Sequence, residues 1–459
     1  MRKVTFGTDG FRGIIADNFT FDNVRRIAGA LAVYLKKKNA YSSKKGVVVG
    51  FDRRFLSRNF AESIAHELSR QGIFVLFCSS AVPTPAVSSY IRAKRLPCGV
   101  IVTASHNPPY FNGVKIKDAF GASATKIMTA EIEKLVPRIK LLKKTGRIKP
   151  GKIKNVEIIK PYVASVRKYV NLPLLKQAAF HIVVDAMHGT GASIMEKVLS
   201  DTGCRVETLR GQRDVLFGGV NPEPIIENLD CLRKRLKETE CDLAVALDGD
   251  ADRIGAMCPN GSFISSHKAI CLLLLHFIEN RKWTGKVLKS INTTTLVDKI
   301  TEHYGLALEE VPVGFKNIAA KMLNEDILLG GEESGGIGFK NYMPERDGVL
   351  SGLLLLEMMA SRKKGIVNIV RDMERRFGRF FYLRKDLNVR APRAIAPHRR
   401  ILNKKVLEVK TYDGTKFILE DESWLLIRAS GTEPIVRIYA ESRSLEMTRK
   451  LIQFGCALL

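Results

Sequence analysis

The spacing of apolar residues changes along the chain, and the changes divide it. After Thr20, a candidate N-cap, Val24, Ile27, Leu31 and Leu35 recur at helical spacing. GVVVGFD (46–52) is an unbroken apolar run ending in an acid, the mark of a fully buried strand. FLSRNFAESIAHELSRQG then reads as helix and GIFVLFCS as strand, and GVIV (99–102) is a strand that opens into a polar loop. This alternation continues for about 370 residues and predicts α/β units whose sheets have a large parallel part. From about residue 376 the pattern changes. FGRFFYLRKDLNV, VLEVKTYDGTKFILE, SWLLIRAS and IVRIYAES read as antiparallel strands, with a YDGT hairpin turn and a closing helix from Leu445. The division expected is α/β over 1–155, 156–257 and 258–372, then α+β over 373–459. A Lys-, Gly- and Pro-rich stretch at 137–160 reads as a linker zone, and CPNGS (258–262) as a turn.

VVVGFD, IVVDAMHGTGA and LAVALDGDADR form a weak internal repeat, each an apolar strand running into an acidic or glycine-rich loop. Ligands gather at the carboxyl ends of strands in open α/β sheets. The loops after such strands are therefore where chemistry is expected.

Four loops carry suitable groups. TASHNP places Ser105 beside His106, with Lys115 ten residues on, and Pro108 and Pro109 stiffen the segment. A hydroxyl so placed can carry a phosphoryl group. LDGDADR alternates Asp248, Asp250 and Asp252 after a buried strand, a hard-oxygen set suited to Mg²⁺. It is not an EF-hand, because the sixth and twelfth positions of such a loop hold Arg253 and Pro259. LGGEESGGIGF sets Glu332, Glu333 and Ser334 between glycine pairs, and carboxylates suit sugar hydroxyls. IRASGTEPIVRIY gathers Arg428, Ser430, Gly431 and Thr432, a guanidinium fork with hydroxyls and backbone N–H groups that can hold a phosphate. Each stretch taken singly also fits a plain turn, a solvated acidic loop or a surface loop. Their combination is what points to chemistry.

Composition narrows the classes. The chain has 459 residues, too many for one core, and 45% hydrophobic with 26% charged residues is ordinary for a soluble globular protein. Its longest apolar runs, AICLLLLHFI and VLSGLLLLEMMA, fall short of the roughly 20 residues that span a bilayer. MRKVTFGTDG has no apolar signal core, so a cytoplasmic address is expected, with no membrane partner. The eight cysteines include no C-x-x-C pair and read as free, mostly buried thiols. The net charge of +27 invites nucleic acid, but the basic runs do not interleave aromatics and no zinc-finger spacing occurs. A basic nucleic-acid-binding scaffold without activity is the distant alternative. The excess charge also suits anionic small substrates. The sequence sets no oligomeric state.

In motif order the chain resembles the α-D-phosphohexomutase family over essentially its whole length. FGTDGFRG (6–13) is similar to the family's N-terminal signature, TASHNP to its phosphoserine loop, DGDADR to its metal loop, GEESGG to its sugar loop and RASGTEP to its phosphate loop. The resemblance implies four domains around a central cleft, three sharing one α/β topology and a fourth that is a TATA-binding-protein-like α+β unit. It implies that Ser105 is held as a phosphoserine and exchanges its phosphoryl group with hexose monophosphates through a 1,6-bisphosphate. It also implies Mg²⁺ on Asp248, Asp250, Asp252 and the phosphoserine, with glucose 1,6-bisphosphate as activator. His106 and Lys115 become proton-transfer candidates, and Arg12 and Arg253 candidates for positioning and charge. Glu332 and Ser334 would hold ring hydroxyls. Arg428, Ser430, Gly431 and Thr432 would grip the idle phosphate, and Lys316 in VPVGFKNI matches a ligand-facing position.

Phosphoglucosamine mutases typically read GEQSGH at the sugar loop, and dual phosphomannomutase/phosphoglucomutases often read GEMSGH. This chain reads GEESGG, with Gly336 in place of the histidine. Its Glu-Glu-Ser loop and FGGVNPEPIIENL resemble glucose-preferring members. The expectation is a phosphoglucomutase interconverting glucose 1- and 6-phosphates, with phosphomannomutase or phosphoglucosamine mutase as the alternative.

Overall fold

The computed structural model describes residues 4–7, 9–38, 45–139, 141, 149–388, 395–429 and 435–459. Four sheets follow one another along the chain. The first runs in the order Phe11–Ile14, Phe111–Lys117, Gly99–Val102, Val47–Phe51, Val75–Cys78, Ile153–Val156, and its last four strands are parallel. Val47–Phe51 is buried at every residue, as an apolar run between two helical layers must be. The second sheet is ordered Phe263–Ile264, Ile254–Met257, Leu243–Leu247, His181–Asp185, Arg205–Leu209, and the third Leu308–Val311, Lys286–Ser290, Ile327–Gly331, Ile337–Phe339. The turn CPNGS joins two strands of that second sheet. The fourth sheet is antiparallel throughout, and the helix Leu445–Ala457 packs on it. The architecture is thus three mixed α/β units and a C-terminal α+β unit.

The cap at Thr20 forms as the spacing predicts: its Oγ1 accepts from Asn23 N at 3.3 Å and starts the helix Phe21–Lys37. The repeat of apolar strand and acidic loop needs a correction. After Val47–Phe51 and His181–Asp185 the chain goes on to a helix, and Asp52 and Asp185 each hold an arginine, Arg54 and Arg210. After Leu243–Leu247 it returns as an antiparallel strand. The equivalents of that hairpin are Gly99–Val102 with Phe111–Lys117 and Ile327–Gly331 with Ile337–Phe339. Ser105, the aspartates and Glu332 therefore sit in the same hairpin of three related sheets.

All eight cysteines are free; Cys78, Cys98, Cys258 and Cys271 are buried and Cys231 is exposed. Among the described residues no helix is long and apolar enough to cross a membrane.

The third and fourth sheets meet around one acid. Glu310 accepts from Lys416 Nζ at 2.8 Å, Lys410 Nζ at 3.1 Å and Tyr412 Oη at 2.8 Å. Lys416 also donates to Ile291 O at 2.6 Å and stacks 4.7 Å from the Trp424 ring. Burial alone would raise the Glu310 carboxyl; Lys416 and Lys289 outweigh it and bring it down to about 2. A carboxylate depressed in this way stabilises the fold above its unfolded value and loses that contribution as pH falls. Glu310→Gln should destabilise the protein by about 1–3 kcal/mol at neutral pH. In denaturant titrations the gap from the parent should close as pH falls from about 4.5 towards 2. A gap independent of pH would contradict the ion-pair account.

Candidate active site

Ser105 ends a buried strand in a left-handed backbone conformation, φ 53°, which a residue with a Cβ adopts only where its surroundings hold it. The restraint is Arg54, a buried guanidinium wrapped in loop carbonyls. Its Nη2 donates to Ser105 O at 2.7 Å and Asn107 O at 2.6 Å, and its Nη1 to Pro108 O at 2.8 Å and Phe111 O at 3.3 Å. Asp52 balances its charge, with Nε to Oδ2 at 3.3 Å. Thr103 Oγ1 accepts from Ser105 N at 2.9 Å. The Ser105 hydroxyl then points at the acidic loop, donating to Asp248 Oδ2 at 2.7 Å. His106 Nδ1 lies 3.4 Å from the same hydroxyl.

Asp248, Asp250 and Asp252 are wholly buried, and each offers an oxygen within 4.8 Å of the others. Asp248 Oδ1 closes the turn by accepting from Asp252 N at 2.9 Å and Arg253 N at 3.1 Å. Gly249 lets the turn touch the serine loop: a Cβ there would lie 2.5 Å from Ser105 O. Lys115 Nζ bonds Asp250 Oδ2 at 2.8 Å, Asp252 Oδ2 at 2.9 Å and Asp9 Oδ2 at 2.9 Å. Thr84 donates both Oγ1 and N to Asp250. Asp250 Oδ1 and Asp252 Oδ1 remain buried without a hydrogen-bond partner. Two such oxygens beside a third carboxylate fit a hard divalent cation, so the triad can hold a metal ion.

The charges separate the three acids. Burial, then Asp250 and Asp252, push Asp248 well above the usual carboxylate range. Burial would raise Asp250 as well, but Lys115 and the bonds from Lys115 and Thr84 outweigh it and lower it. Burial would lower Lys115; Asp250, Asp252 and Asp9 reverse that and raise it. Burial, Arg253 and Arg12 hold His106 well below its usual value. Arg253 Nε stands 3.7 Å from Asp252 Oδ1 and 3.9 Å from Asp248 Oδ2, and Arg12 bonds Asn107 Oδ1.

The third unit brings Glu332 to the same place. Its Oε1 accepts from Gly314 N at 2.9 Å, and Oε2 is 3.5 Å from Arg346 Nη1. Glu333 turns the other way, accepting from Tyr382 Oη at 2.9 Å and Asn292 Nδ2 at 3.3 Å. Ser334 is half-buried at the tip of the loop. Backbone bonds join the loops: Ile254 N donates to Gly335 O at 3.1 Å and Gly348 N to Ala251 O at 3.1 Å. Lys316 is half-buried and its Nζ reaches Gly7 O at 3.4 Å. Arg428 bonds Asp413 Oδ1 at 2.7 Å, and Asp413 Oδ2 accepts from Val313 N at 2.7 Å. Arg428 is thereby tied to the segment that carries Lys316. Ser430, Gly431 and Thr432 lie outside the described residues.

Residue patterns alone missed Arg54, Thr84, Asp9, Lys117, Glu345 and Arg346. Lys117 pairs with Glu345 in full burial, and Arg346 Nη2 bonds Asp9 Oδ2 at 2.5 Å and Asp252 Oδ2 at 2.7 Å. Asp9 stands inside the quoted FGTDGFRG and Arg346 inside PERDG, ahead of a strongly apolar helix. Adjacent charges facing an apolar run were the available signal.

Comparison with known proteins gives the family. The phosphoglucomutase/phosphomannomutase family models match unit by unit: alpha/beta/alpha domain I at 3–143, domain II at 160–261, domain III at 265–377 and the C-terminal domain at 387–454. A phosphoglucomutase/phosphomannomutase of Thermococcus kodakarensis is 31% identical over 99% of this chain and 98% of its own length. The chain belongs to the phosphoglucomutase/phosphomannomutase family. A phosphoglucosamine/phosphogalactosamine mutase of Sulfurisphaera tokodaii is 28% identical over 97% of both chains. A crystal structure of a Thermus thermophilus protein, named as a phosphomannomutase, is similar with a TM-score of 0.88 and 35% identity over 100% of this chain and 99% of that one. Arg54 is expected to be the anchor of the serine loop. Arg54→Met removes four hydrogen bonds to loop carbonyls and the cationic partner of Asp52, and should cost about 3 kcal/mol or more in denaturant unfolding. Unchanged stability would show that the loop is held by other contacts.

Proposed function

We propose that the protein is a phosphohexomutase that moves a phosphoryl group between the 1- and 6-oxygens of a hexose phosphate through a phosphoserine at Ser105. The observation that carries this is the 2.7 Å contact between the Ser105 hydroxyl and Asp248, inside a triad that keeps two buried carboxylate oxygens unpartnered. A nucleophilic hydroxyl and a cation site share one oxygen contact.

Asp248, Asp250 and Asp252 would hold Mg²⁺, with an oxygen of the phosphoserine beside them. Bound there, the ion supplies positive charge opposite the transferring group. The remaining work falls to side chains. The bond from Ser105 Oγ to phosphorus breaks as the substrate's free hydroxyl oxygen bonds that phosphorus; the hydroxyl gives up its proton and the freed Ser105 Oγ takes one up. The hexose 1,6-bisphosphate turns over. Its other phosphoryl group then returns to Ser105, and the sugar oxygen left behind takes a proton. His106, whose Nδ1 is 3.4 Å from the Ser105 hydroxyl, and Lys115, which bonds Asp250 and Asp252 of the triad, are the candidates to exchange these protons. Arg12 and Arg253 face the transferring group and offset its charge. Glu332 and Ser334 receive ring hydroxyls, which present similar geometry in both orientations. Arg428, with Ser430, Gly431, Thr432 and Lys316, holds the phosphate that is not reacting. Glucose 1,6-bisphosphate would recharge Ser105.

Glucose is the preferred hexose on the Glu-Glu-Ser sequence of the sugar loop. The Thermococcus relative carries a glucose- and mannose-type name and the Sulfurisphaera relative a glucosamine- and galactosamine-type name, so mannose and glucosamine phosphates are the competing substrates. A coupled assay with Mg²⁺ and a trace of glucose 1,6-bisphosphate decides among them. Glucose 1-phosphate should exceed mannose and glucosamine 1-phosphates in kcat/KM by about tenfold, or ~1.4 kcal/mol. A lead for glucosamine would transfer the selectivity to that sugar, and no turnover of any of the three would remove the mutase reading. Ser105→Ala should lower turnover by about three orders of magnitude or more with the fold intact. Arg428→Ala should act mainly on KM; an unchanged KM would remove its phosphate-holding role.

Removing acid ligands gives an independent check. Asp250→Asn should weaken Mg²⁺ or Mn²⁺ binding, read by calorimetry, by about tenfold or more. Equal affinity in the variant would place the cation elsewhere.

A further inference from the structure

Gly336 closes the sugar loop where the resembling loops carry a histidine, and the structure shows what stands in that space. A Cβ on Gly336 would lie 2.1 Å from Cδ and 2.8 Å from Cγ of Arg346. Such contacts relax cheaply when the neighbour is the free end of a flexible side chain. Arg346 is not free. Its Nη2 bonds Asp9 Oδ2 and Asp252 Oδ2, Nη1 is 3.5 Å from Glu332 Oε2, and Nε is 3.5 Å from Glu345 Oε1. Its guanidinium also lies 5.5 Å from the Phe315 ring centroid, and the residue is 2% exposed. With the head fixed on loops from three units, the shaft cannot swing aside. A side chain at position 336 and this placement of Arg346 exclude each other.

We propose that Arg346 is a positioning residue that locks the sugar-loop carboxylate Glu332 to the acidic loop and the N-terminal loop, and that Gly336 is bare so that Arg346 can pass. This rests on the mutase reading given above. Gly314 N–H fixes one oxygen of Glu332 and Arg346 faces the other, so Glu332 has one orientation towards a sugar hydroxyl. The guanidinium does what a lysine ammonium cannot, because its planar fork spans several carboxylates at once.

A double-mutant cycle tests this. Gly336→Ala in the parent should raise KM for the best hexose phosphate by about tenfold, with a smaller change in kcat. In an Arg346→Ala background the space is open, and adding Gly336→Ala should change KM by less than about twofold. Arg346→Lys restores charge without the span and should stay within about threefold of Arg346→Ala. Equal effects of Gly336→Ala in both backgrounds, full rescue by lysine, or an Arg346→Ala variant with parental KM would each overturn the proposal. If Arg346→Ala does not fold, a crystal structure of Gly336→Ala decides: loss of the Arg346–Glu332 contact supports the proposal, and its retention overturns it. A parent without turnover defeats the mutase reading instead, while non-additive unfolding midpoints in the cycle would still report the packing of Gly336 on Arg346.

Discussion

Three buried carboxylates in one tight turn repel one another, and much of this structure is arranged around offsetting that repulsion. Asp248, Asp250 and Asp252 have no exposed surface, and Asp9 joins them from the N-terminal loop. Lys115 and Arg346, both buried, answer with contacts at 2.5–2.9 Å. Buried charges are tolerated only when paired and hydrogen-bonded, and here the partners of the second unit's acids come from the first and third units. The need to satisfy one acidic turn therefore dictates how those units dock. The pairing is also incomplete by design of the turn, since two carboxylate oxygens face inward without a protein donor. That residue of negative charge is what fits the turn to hold a cation.

The serine loop is the second constraint. A left-handed serine at the end of a parallel strand would relax if its carbonyls were free to move. Arg54 removes that freedom by collecting four of them, and Asp52 keeps the guanidinium neutralised. The same hairpin topology then delivers the acidic turn and the Glu332 loop from the next two sheets. Fixed loops on rigid strands suit a reaction in which the sugar, not the protein, changes orientation. Positioning of this kind contributes much of the catalysis in phosphoryl transfer.

How much of this was legible in the sequence follows from distance along the chain. The Thr20 cap, the buried strand at 46–52 and the YDGT hairpin depend on neighbours a few residues away, and local pattern reveals them. The aspartate triad is legible for the same reason, since its three acids fall within five residues. Arg54 and Arg346 were not, because they act at long range: Arg54 on carbonyls 51 to 57 positions on, Arg346 on Asp9 337 positions back. As isolated arginines they look like any basic surface residue. The repeat was half legible. Apolar strand and acidic loop recur, but only the structure separates strands that lead to helices from those that return as hairpins. The missing histidine at 336 was visible as a departure, and its physical cause, the shaft of Arg346, was not.

The central claim is that Ser105 carries the phosphoryl group between the two sugar oxygens. Intact-protein and peptide mass spectrometry test it most directly. After incubation with glucose 1,6-bisphosphate and Mg²⁺, the account predicts one phosphoryl group per chain, located on Ser105. Addition of excess glucose 1-phosphate or 6-phosphate should then discharge it, with hexose bisphosphate formed in equal amount. Turnover with Ser105 never phosphorylated, or a stable phosphoryl group on another residue, would contradict it.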